Sequence, residues 1–322
     1  MKELTRRQFS GHALAAAAFA ATVFSVPVAG ASKLMPKRKI PSTGVELGIL
    51  GFGNSAVFNP RTDVEEAKQT SRALFDLLVE MGGNFVDSYY DAYLNLAEWL
   101  DIDVTRQVHF SAGFAGFGRP LAEDDIPGLP GLMQNAQLAF LTVHQGFDMS
   151  MSERYWPVAR RAKEAGYARH IGVSWNASLE RPAADQAFID FMRTEKPDFV
   201  EINYSIMTPH PEDRLLPTAM DLGIGVIAMK PFQDGAYFSQ VSGRELPGWA
   251  REFCDSWAQF CLKYIVSHPA VTVAISETGN LEHARDNLGA GIGPLPDEAT
   301  RNRMKDLYAS LPTYAVRPRS ER

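Results

Sequence analysis

Residues 166–174 read Gly-Tyr-Ala-Arg-His-Ile-Gly-Val-Ser, in which a short apolar run at residues 171–173 ends in a serine. Comparable short runs that end in polar or small side chains recur along the chain, at residues 84–89, 108–113, 141–144, 199–204, 226–230 and 271–275. Helix-like stretches separate most neighbouring runs. Strands that alternate with helices predict a parallel sheet.

The number of these units predicts how the sheet closes. The seven runs above, of which the one at 141–144 belongs to a strand at 138–143, and a first strand at residues 47–53 give eight strand–helix units over residues 42–322, without an internal repeat or a second domain. Eight units are what a closed (β/α)8 TIM barrel of the α/β class requires. Because such barrels place their active sites at the carboxyl ends of the strands, the side chains there are the candidates for chemistry.

The first 31 residues have the pattern of a targeting segment. The pair Arg6-Arg7 precedes an apolar run at residues 13–28 and a small-residue end at residues 29–31. This is typical of a twin-arginine signal peptide over residues 1–31, cleaved near Ala31, with residues 32–41 as a linker. The run is short for a membrane span, so we expect no stable membrane anchor, although an uncleaved anchor remains the alternative. The twin-arginine export machinery is then a partner, and the location is periplasmic.

Composition excludes several classes of function. The formal net charge is −6 and there is no basic block, which argues against nucleic acid as a partner. Cys254 and Cys261 are the two cysteines, and they lie seven apart in a helical pattern, too far along the helix to bond each other. No cysteine–histidine spacing typical of a metal site is present, so the sequence predicts no metal.

Several strand ends together resemble the aldo/keto reductase family, over about residues 42–312. The most specific match is residues 166–174, and others are residues 84–88, 141–144, 201–204, 223–231 and 276–280 with Asn287. The resemblance implies an oxidoreductase that interconverts a carbonyl and an alcohol, with NAD(P)(H) lying across the carboxyl face of the barrel. It also implies a catalytic set of Tyr, Lys, His and Asp.

The catalytic residues that the resemblance implies are carried over by position. Asp87 ends the second strand and His144 ends the fourth. The family's tyrosine follows the aspartate by about five residues, but here one or two residues are inserted. Tyr93 is therefore the first choice for the catalytic tyrosine, with Tyr90 and Tyr89 behind it.

The resemblance also implies residues that hold the cofactor. Tyr204 is expected to stack on the nicotinamide and Lys230 to contact a phosphate, while Ser174 and Glu201 stand where the family binds the carboxamide. The remaining implied contacts lie at the adenine end: Thr278, Asn280, His283 and Asn287.

One strand end departs from the family in a way that affects the chemistry. The third strand ends Ala112-Gly113 where the family has its catalytic lysine. A tyrosine needs a nearby cation to lower its pKa, and an unpaired Asp87 would raise it. Arg119 and Lys230 are the alternative cations. We therefore expect weakened reductase chemistry, and a gain of activity in Gly113→Lys if the site is a damaged reductase.

The acidic side chains near the cofactor positions leave three functions open. Glu277 would repel a 2′-phosphate, so NAD(H) is expected over NADP(H). One function is an exported oxidoreductase acting on a small carbonyl or alcohol. Another is acid–base chemistry without net redox on a sugar-like substrate, which an acidic rim carrying Trp175 and Glu201 would suit. The third is a binding protein without catalysis.

Overall fold

The computed structural model describes residues 34–114, 128, 138–144, 149–176 and 182–312. The predicted signal peptide and Arg119 lie outside the described residues, and so does most of the loop predicted after the third strand.

Eight parallel strands close into a barrel, which confirms the predicted (β/α)8 TIM fold. Around the barrel the order is β10-β3-β4-β5-β6-β7-β8-β9, so sequence neighbours pair throughout and the last strand pairs with the first. The strands of the described residues are β1 Lys37–Lys39, β2 Glu46–Gly48, β3 Leu50–Phe52, β4 Phe85–Tyr89, β5 His109–Phe114, β6 Leu138–Val143, β7 Ala168–Trp175, β8 Phe199–Asn203, β9 Gly225–Met229 and β10 Val273–Ser276.

Helices follow most of the strands and cover the outside of the barrel. Those of the described residues are α1 Val64–Glu80, α2 Tyr90–Trp99, α3 Ile102–Thr105, α4 Ser150–Glu164, α5 Pro182–Glu195, α6 Leu215–Asp221, α7 Ala236–Val241, α8 Trp257–Val266, α9 Leu281–Gly289 and α10 Glu298–Ser310. None of these helices is long and apolar enough to cross a membrane. Cys254 and Cys261 are free and buried, in line with the absence of a predicted disulfide.

The amino-terminal part of the barrel differs from the sequence prediction. Lys37–Lys39, within the segment predicted as a linker, pairs in antiparallel register with Glu46–Gly48. The first barrel strand therefore begins at Leu50 rather than at residue 47. Ile40 and Leu47 are fully buried in the same apolar cluster as the barrel-facing phenylalanines, so the hairpin contributes to the barrel core. Apolar side chains at both ends of the hairpin explain why it packs there instead of linking freely.

A layer of aromatic rings fills the barrel and fixes the level of the site. Phe140 packs edge-to-face against Phe85 and Phe199, with ring centroids 5.3 and 5.1 Å away. Because alternate side chains of a strand share a face, Asp87 and Glu201 follow Phe85 and Phe199 on the barrel-facing side, one step nearer the carboxyl ends. The phenylalanine layer thus forms an apolar floor beneath charged residues.

Candidate active site

A cavity of about 680 Å³ opens at the carboxyl ends of the strands, where the fold predicts the site. Asp87, His144 and Glu201 line its inner part, and the loop after β9 lines much of its mouth. The cavity is lined by residues predicted from the sequence and by others that were not: Asn54, Asp87, Tyr89, His144, Met151, Ser174, Asn176, Glu201, Met229, Lys230, Pro231, Phe232, Gln233, Asp234, Gly235, Phe238, Ile275 and Glu277.

Three strands bring together Asp87, His144 and Glu201, which we name the central cluster. One ligand-type atom from each residue lies within 4.8 Å of the other two. His144 Nε2 is 3.9 Å from a Glu201 carboxylate oxygen. Thr142 Oγ1 donates to the other Glu201 oxygen at 3.3 Å and lies 2.9 Å from Ser111 Oγ.

Burial dominates the electrostatics of the central cluster. Asp87 is 6% exposed and Glu201 is 1% exposed. Burial raises the pKa of the Asp87 carboxyl, although hydrogen bonds with Ser111 and Glu201 act to lower it. Burial also raises the pKa of Glu201, with the Asp87 charge adding to it. Among the described residues, no Lys or Arg forms an ion pair with either carboxylate, so the position of the missing lysine has not been filled from elsewhere in this part of the chain.

Gly113 is the residue that allows His144 to take its place. Gly113 pairs with Tyr89 in the β4–β5 ladder, at the level of the cavity. A Cβ atom added at Gly113 would lie 2.3 Å from His144 Nε2, a distance that real contacts do not show. The imidazole therefore occupies the space that a side chain at residue 113 would enter. Burial lowers the pKa of His144 to about 4.

The tyrosine at the cavity is Tyr89, and the first choice, Tyr93, needs correction. Helix α2 begins at Tyr90, immediately after β4, so Tyr93 lies on its first turn and packs against the barrel wall. Tyr93 is fully buried, donates to the Ser111 carbonyl oxygen and packs edge-to-face on Phe110. The resemblance placed the catalytic tyrosine beyond an insertion of one or two residues after Asp87, but helix α2 already begins at Tyr90 and carries Tyr93 away from the cavity.

Tyr89 sits against the central cluster. Its ring centroid is 5.2 Å from that of His144. Burial raises the pKa of Tyr89 to about 12, and the charges of Asp87 and Glu201 add to the shift. This is the direction expected for a tyrosine beside carboxylates without a lysine. The side chain of Tyr90 lies outside the described part of the structure.

Strand β7 delivers Ser174 and Asn176 to the cavity and turns Trp175 away from it. Ser174 was predicted here, whereas Asn176 was not. Trp175 is 1% exposed, stacks on Phe188 at 4.8 Å and donates to Asp185 at 2.6 Å. The expectation of a tryptophan-bearing rim for a polyol is therefore wrong, because Trp175 points outward toward α5.

Tyr204 does not reach the cavity, which corrects its predicted role as a stacking platform. Its hydroxyl donates to Glu212 at 2.7 Å and accepts from Arg301 at 2.8 Å. Tyr264, Arg301 and Lys305 also donate to Glu212, and we name these five residues the Glu212 cluster. Tyr204 is fully buried there, so it cannot face a nicotinamide ring in the cavity.

The predicted adenine-end residues meet at a second cavity of about 460 Å³. Thr278, His283 and Asn287 line it, and Lys230 lines the first cavity instead. Asn280 caps α9, since its side-chain oxygen accepts from the backbone N–H groups of residues 282 and 283 at 2.8 and 3.0 Å. The two cavities share three lining residues, Phe232, Phe238 and Glu277, so they form one elongated groove.

Some residues of the groove could not be recognised from motifs. Asn54 accepts from Ser88 Oγ at 2.6 Å at the edge of the cavity. Gln233 donates to Asn203 at 2.6 Å and holds the loop after β9. Phe232 and Phe238 pack on each other at 4.7 Å between the two cavities. Their spacing of six residues, across a 3₁₀ turn and a helix, follows no simple period, and this is why the sequence did not reveal them.

Comparisons with known proteins agree with this architecture. The family model described as the aldo/keto reductase family matches residues 132–305, more than half of the chain. No curated protein sequence matches significantly.

Solved aldo-keto reductases have the same fold. A Bacillus halodurans aldo-keto reductase in its holo form has a TM-score of 0.64 and 17% identity, covering 89% of this chain and all of that one. A Klebsiella pneumoniae aldo/keto reductase in complex with NADP and acetate has a TM-score of 0.65 and 19% identity, covering 85% of this chain and 95% of that one. A Klebsiella pneumoniae aldo-keto reductase in complex with NADPH has a TM-score of 0.64 and 17% identity, covering 85% of this chain and 95% of that one. At these identities the likeness establishes the fold alone.

Proposed function

The chain belongs to the aldo/keto reductase family, and on that premise we propose that it is an oxidoreductase that uses a nicotinamide dinucleotide to interconvert a small carbonyl and an alcohol. The elongated groove carries the proposal. One end holds Tyr89 and His144, the groups able to move a proton, and the other end lies against α9. A dinucleotide extended between the two would place its nicotinamide beside the central cluster.

The proposed chemistry assigns a role to each group that faces the cavity. The cofactor supplies or accepts the hydride. Tyr89 is positioned to exchange a proton with the substrate oxygen, and His144, adjacent to it, is positioned to orient that oxygen. Since the pKa of Tyr89 is raised rather than lowered, we propose that turnover is slow compared with a site that carries the lysine.

The preference between the two dinucleotides follows from charge. The second cavity is lined by Glu277 and Asp286, and no Lys or Arg lines it within the described ranges. A 2′-phosphate there would face carboxylates instead of the cations that usually bind it. We propose NAD(H) as the preferred cofactor, although the Klebsiella pneumoniae structures hold NADP and NADPH.

Two measurements test whether the protein binds a nicotinamide cofactor and which of the two dinucleotides it prefers. Protein purified from the exported fraction is denatured, and released nucleotide is identified by absorbance and mass. Fluorescence titration of the emptied protein then compares NADH with NADPH. We expect tighter NADH, and a gain in NADPH affinity in Glu277→Gln but not in Glu282→Gln, which removes a carboxylate on the first turn of α9 away from both cavities. Much tighter NADPH than NADH would reject the preference, and no binding of either would reject the oxidoreductase.

A second candidate is acid–base chemistry without net redox, and it is favoured by the two carboxylates of the central cluster, which have no Lys or Arg partner among the described residues. Asp87 and Glu201 could exchange protons with a sugar-like substrate while a nucleotide stays bound. Bound nucleotide whose redox state does not change with any added carbonyl or alcohol would support this candidate. An empty groove that binds no nucleotide would instead support the third possibility, a binding protein without catalysis.

We also propose that the protein reaches the periplasm through the twin-arginine export machinery. The pair Arg6-Arg7, the apolar run and the small residues before Ser32 support this. The double variant Arg6→Lys/Arg7→Lys should remain in the cytoplasm at full length, while the original chain is recovered from the periplasm cut near Ala31. Equal export of both chains would contradict the proposal.

A further inference from the structure

We propose that Asp87, His144 and Glu201 bind one divalent first-row metal ion, of the Zn²⁺ or Mn²⁺ type, in the inner part of the barrel cavity. The proposal concerns the resting protein. It does not depend on the oxidoreductase proposal, because metal binding is measured without nucleotide or substrate.

The geometry of the central cluster is close to that of a three-ligand site. The three ligand-type atoms lie within 4.8 Å of one another, and His144 Nε2 is 3.9 Å from Glu201. Metal bonds to imidazole and carboxylate measure about 2.0–2.2 Å, which places neighbouring ligand atoms about 3.4 Å apart in a tetrahedral site. Side-chain shifts of roughly 1 Å would close this difference. Because the three residues line the cavity, a further ligand such as a water would reach the ion from the cavity, as in open, catalytic metal sites.

Two ligand atoms of the cluster have no other use in the described part of the chain. Asp87 Oδ1 and His144 Nε2 are both buried without a hydrogen-bond partner there. Buried polar atoms are nearly always paired, so two such atoms in one cluster call for a ligand that accepts their lone pairs. Asn176 Oδ1, on the same cavity, is also buried without a partner and is placed to accept from a water on the metal.

Hydroxyl groups of neighbouring residues hold the carboxylates of the central cluster by hydrogen bonds. Thr142 donates to the Glu201 oxygen at 3.3 Å, and Ser111 lies 2.9 Å from Thr142. Ser111 also hydrogen-bonds the Asp87 carboxyl. Such outer contacts fix the direction of ligating carboxylates and are a regular part of metal centres.

Charge balance points to a divalent cation in particular. Two carboxylates sit in a buried site whose neighbours within the described residues include no paired Lys or Arg. A single charge of +2 would balance both of them, and a bound metal ion is often the largest charge of such a site. One imidazole with two carboxylates is a mixed nitrogen and oxygen donor set, which suits Zn²⁺ or Mn²⁺ more than Ca²⁺ or a copper ion. The metal would supply the positive charge that the site lacks because residue 113 is a glycine where the family has its lysine.

Calorimetric titration of the full mature chain, stripped of metal, tests the site with Zn²⁺ and Mn²⁺ in turn. We expect one ion per chain with micromolar or tighter affinity, and a visible absorption band on adding Co²⁺. Glu201→Gln and His144→Ala should each weaken binding at least tenfold, and His144→Ala should change the Co²⁺ spectrum. The control is Asp234→Asn, which removes a carboxylate that lines the same cavity outside the cluster. It should bind within about threefold of the original.

The variant Asp87→Asn keeps the test decisive if other variants fold poorly. It retains the size of the side chain and removes its charge, and it should unfold no more easily than the original while losing the metal. Absence of binding at one ion per chain would overturn the proposal. Equal binding by the original, Glu201→Gln and Asp87→Asn would also overturn it, since the ion would then sit on the surface.

Discussion

Two acidic sites of the barrel have opposite surroundings. In the Glu212 cluster, one oxygen of Glu212 accepts from Tyr204, Tyr264 and Arg301, and the other accepts from Lys305. Burial alone would raise the pKa of Glu212, but these hydrogen bonds and the Arg301 charge lower it instead. In the central cluster, two carboxylates share few donors and their pKa values are raised.

The difference separates a structural use of a buried acid from a functional one. The Glu212 cluster joins the end of β8, α8 and α10, and its residues line neither of the two cavities that form the groove. The central cluster keeps its charges at a cavity wall and leaves lone pairs unpaired within the described residues. Strained or underpaired polar groups cost stability, and proteins keep them where a ligand or a reaction uses them.

The largest expected effect comes from removing the arginine of the Glu212 cluster, which is the more buried of its two cations. Arg301→Met should lower the free energy of unfolding by about 3 kcal/mol, because it leaves the half-buried Glu212 carboxylate with Lys305 as its one ion-pair partner among the described residues and loses the contacts to Tyr204 and Ser267. Urea denaturation measures the change.

The matched control is another arginine of α10. Arg303 is exposed and stacks on the Trp249 ring at 4.2 Å, so Arg303→Met should cost below about 1 kcal/mol. Equal losses in the two variants would show that the Glu212 cluster does not hold the fold as argued.

The fold was predictable because it depends on patterns that repeat along the chain. Each strand is a short apolar run, and the barrel follows from the count of eight. The hairpin of Lys37–Lys39 with Glu46–Gly48 was not predicted. Three basic residues, Lys37–Lys39, have no pattern that distinguishes a strand from a linker, and only the burial of Ile40 and Leu47 in the structure shows that the hairpin packs on the barrel core.

The part of the site that lies at the strand ends was predictable from the register of the strands. Asp87, His144, Ser174 and Glu201 lie on the cavity because strand ends meet at one face. Tyr93 and Tyr204 were misplaced because the direction of a side chain after a strand depends on where the next helix begins and on distant partners such as Arg301. The central cluster joins three strands, so no spacing in the sequence could reveal it.

Gly113→Ala tests the central cluster through the contact of residue 113 with His144. The added methyl group meets His144 Nε2 at 2.3 Å and must displace the imidazole. We expect Zn²⁺ affinity to fall about tenfold, or about 1.4 kcal/mol. Gly113→Lys should fail to restore reductase activity for the same reason, contrary to the expectation from the sequence.

Calorimetry measures the Gly113 effect, and Gly248→Ala is its control. A Cβ at Gly248 would meet nothing within 4 Å, so the same chemical change occurs away from the site. An unchanged Zn²⁺ affinity in Gly113→Ala would mean that His144 is not held against residue 113.

Asp87→Asn tests whether the central cluster costs stability. Replacing one carboxylate by an amide removes like-charge repulsion and gives Glu201 a donor. In metal-free protein the free energy of unfolding should therefore rise by about 1 kcal/mol. Urea denaturation in a chelator measures it, and adding Zn²⁺ should stabilise the original chain but not the variant. A destabilised variant would contradict the view that the pair is kept for function.

The smallest effect is a pH dependence of the Glu212 cluster. The pKa of Glu212 is lower in the folded protein than the unfolded value of about 4.3, so its stabilisation is present above that pH and is lost as the pH falls through the folded pKa. The stability difference between the original and Glu212→Gln should therefore shrink between pH 6 and pH 3, in urea titrations at each pH. Glu252→Gln, at an exposed glutamate, controls for the loss of a carboxylate. A difference that stays constant or grows toward pH 3 would mean that the donors around Glu212 do not favour its charged form, and the contrast with the central cluster would fail.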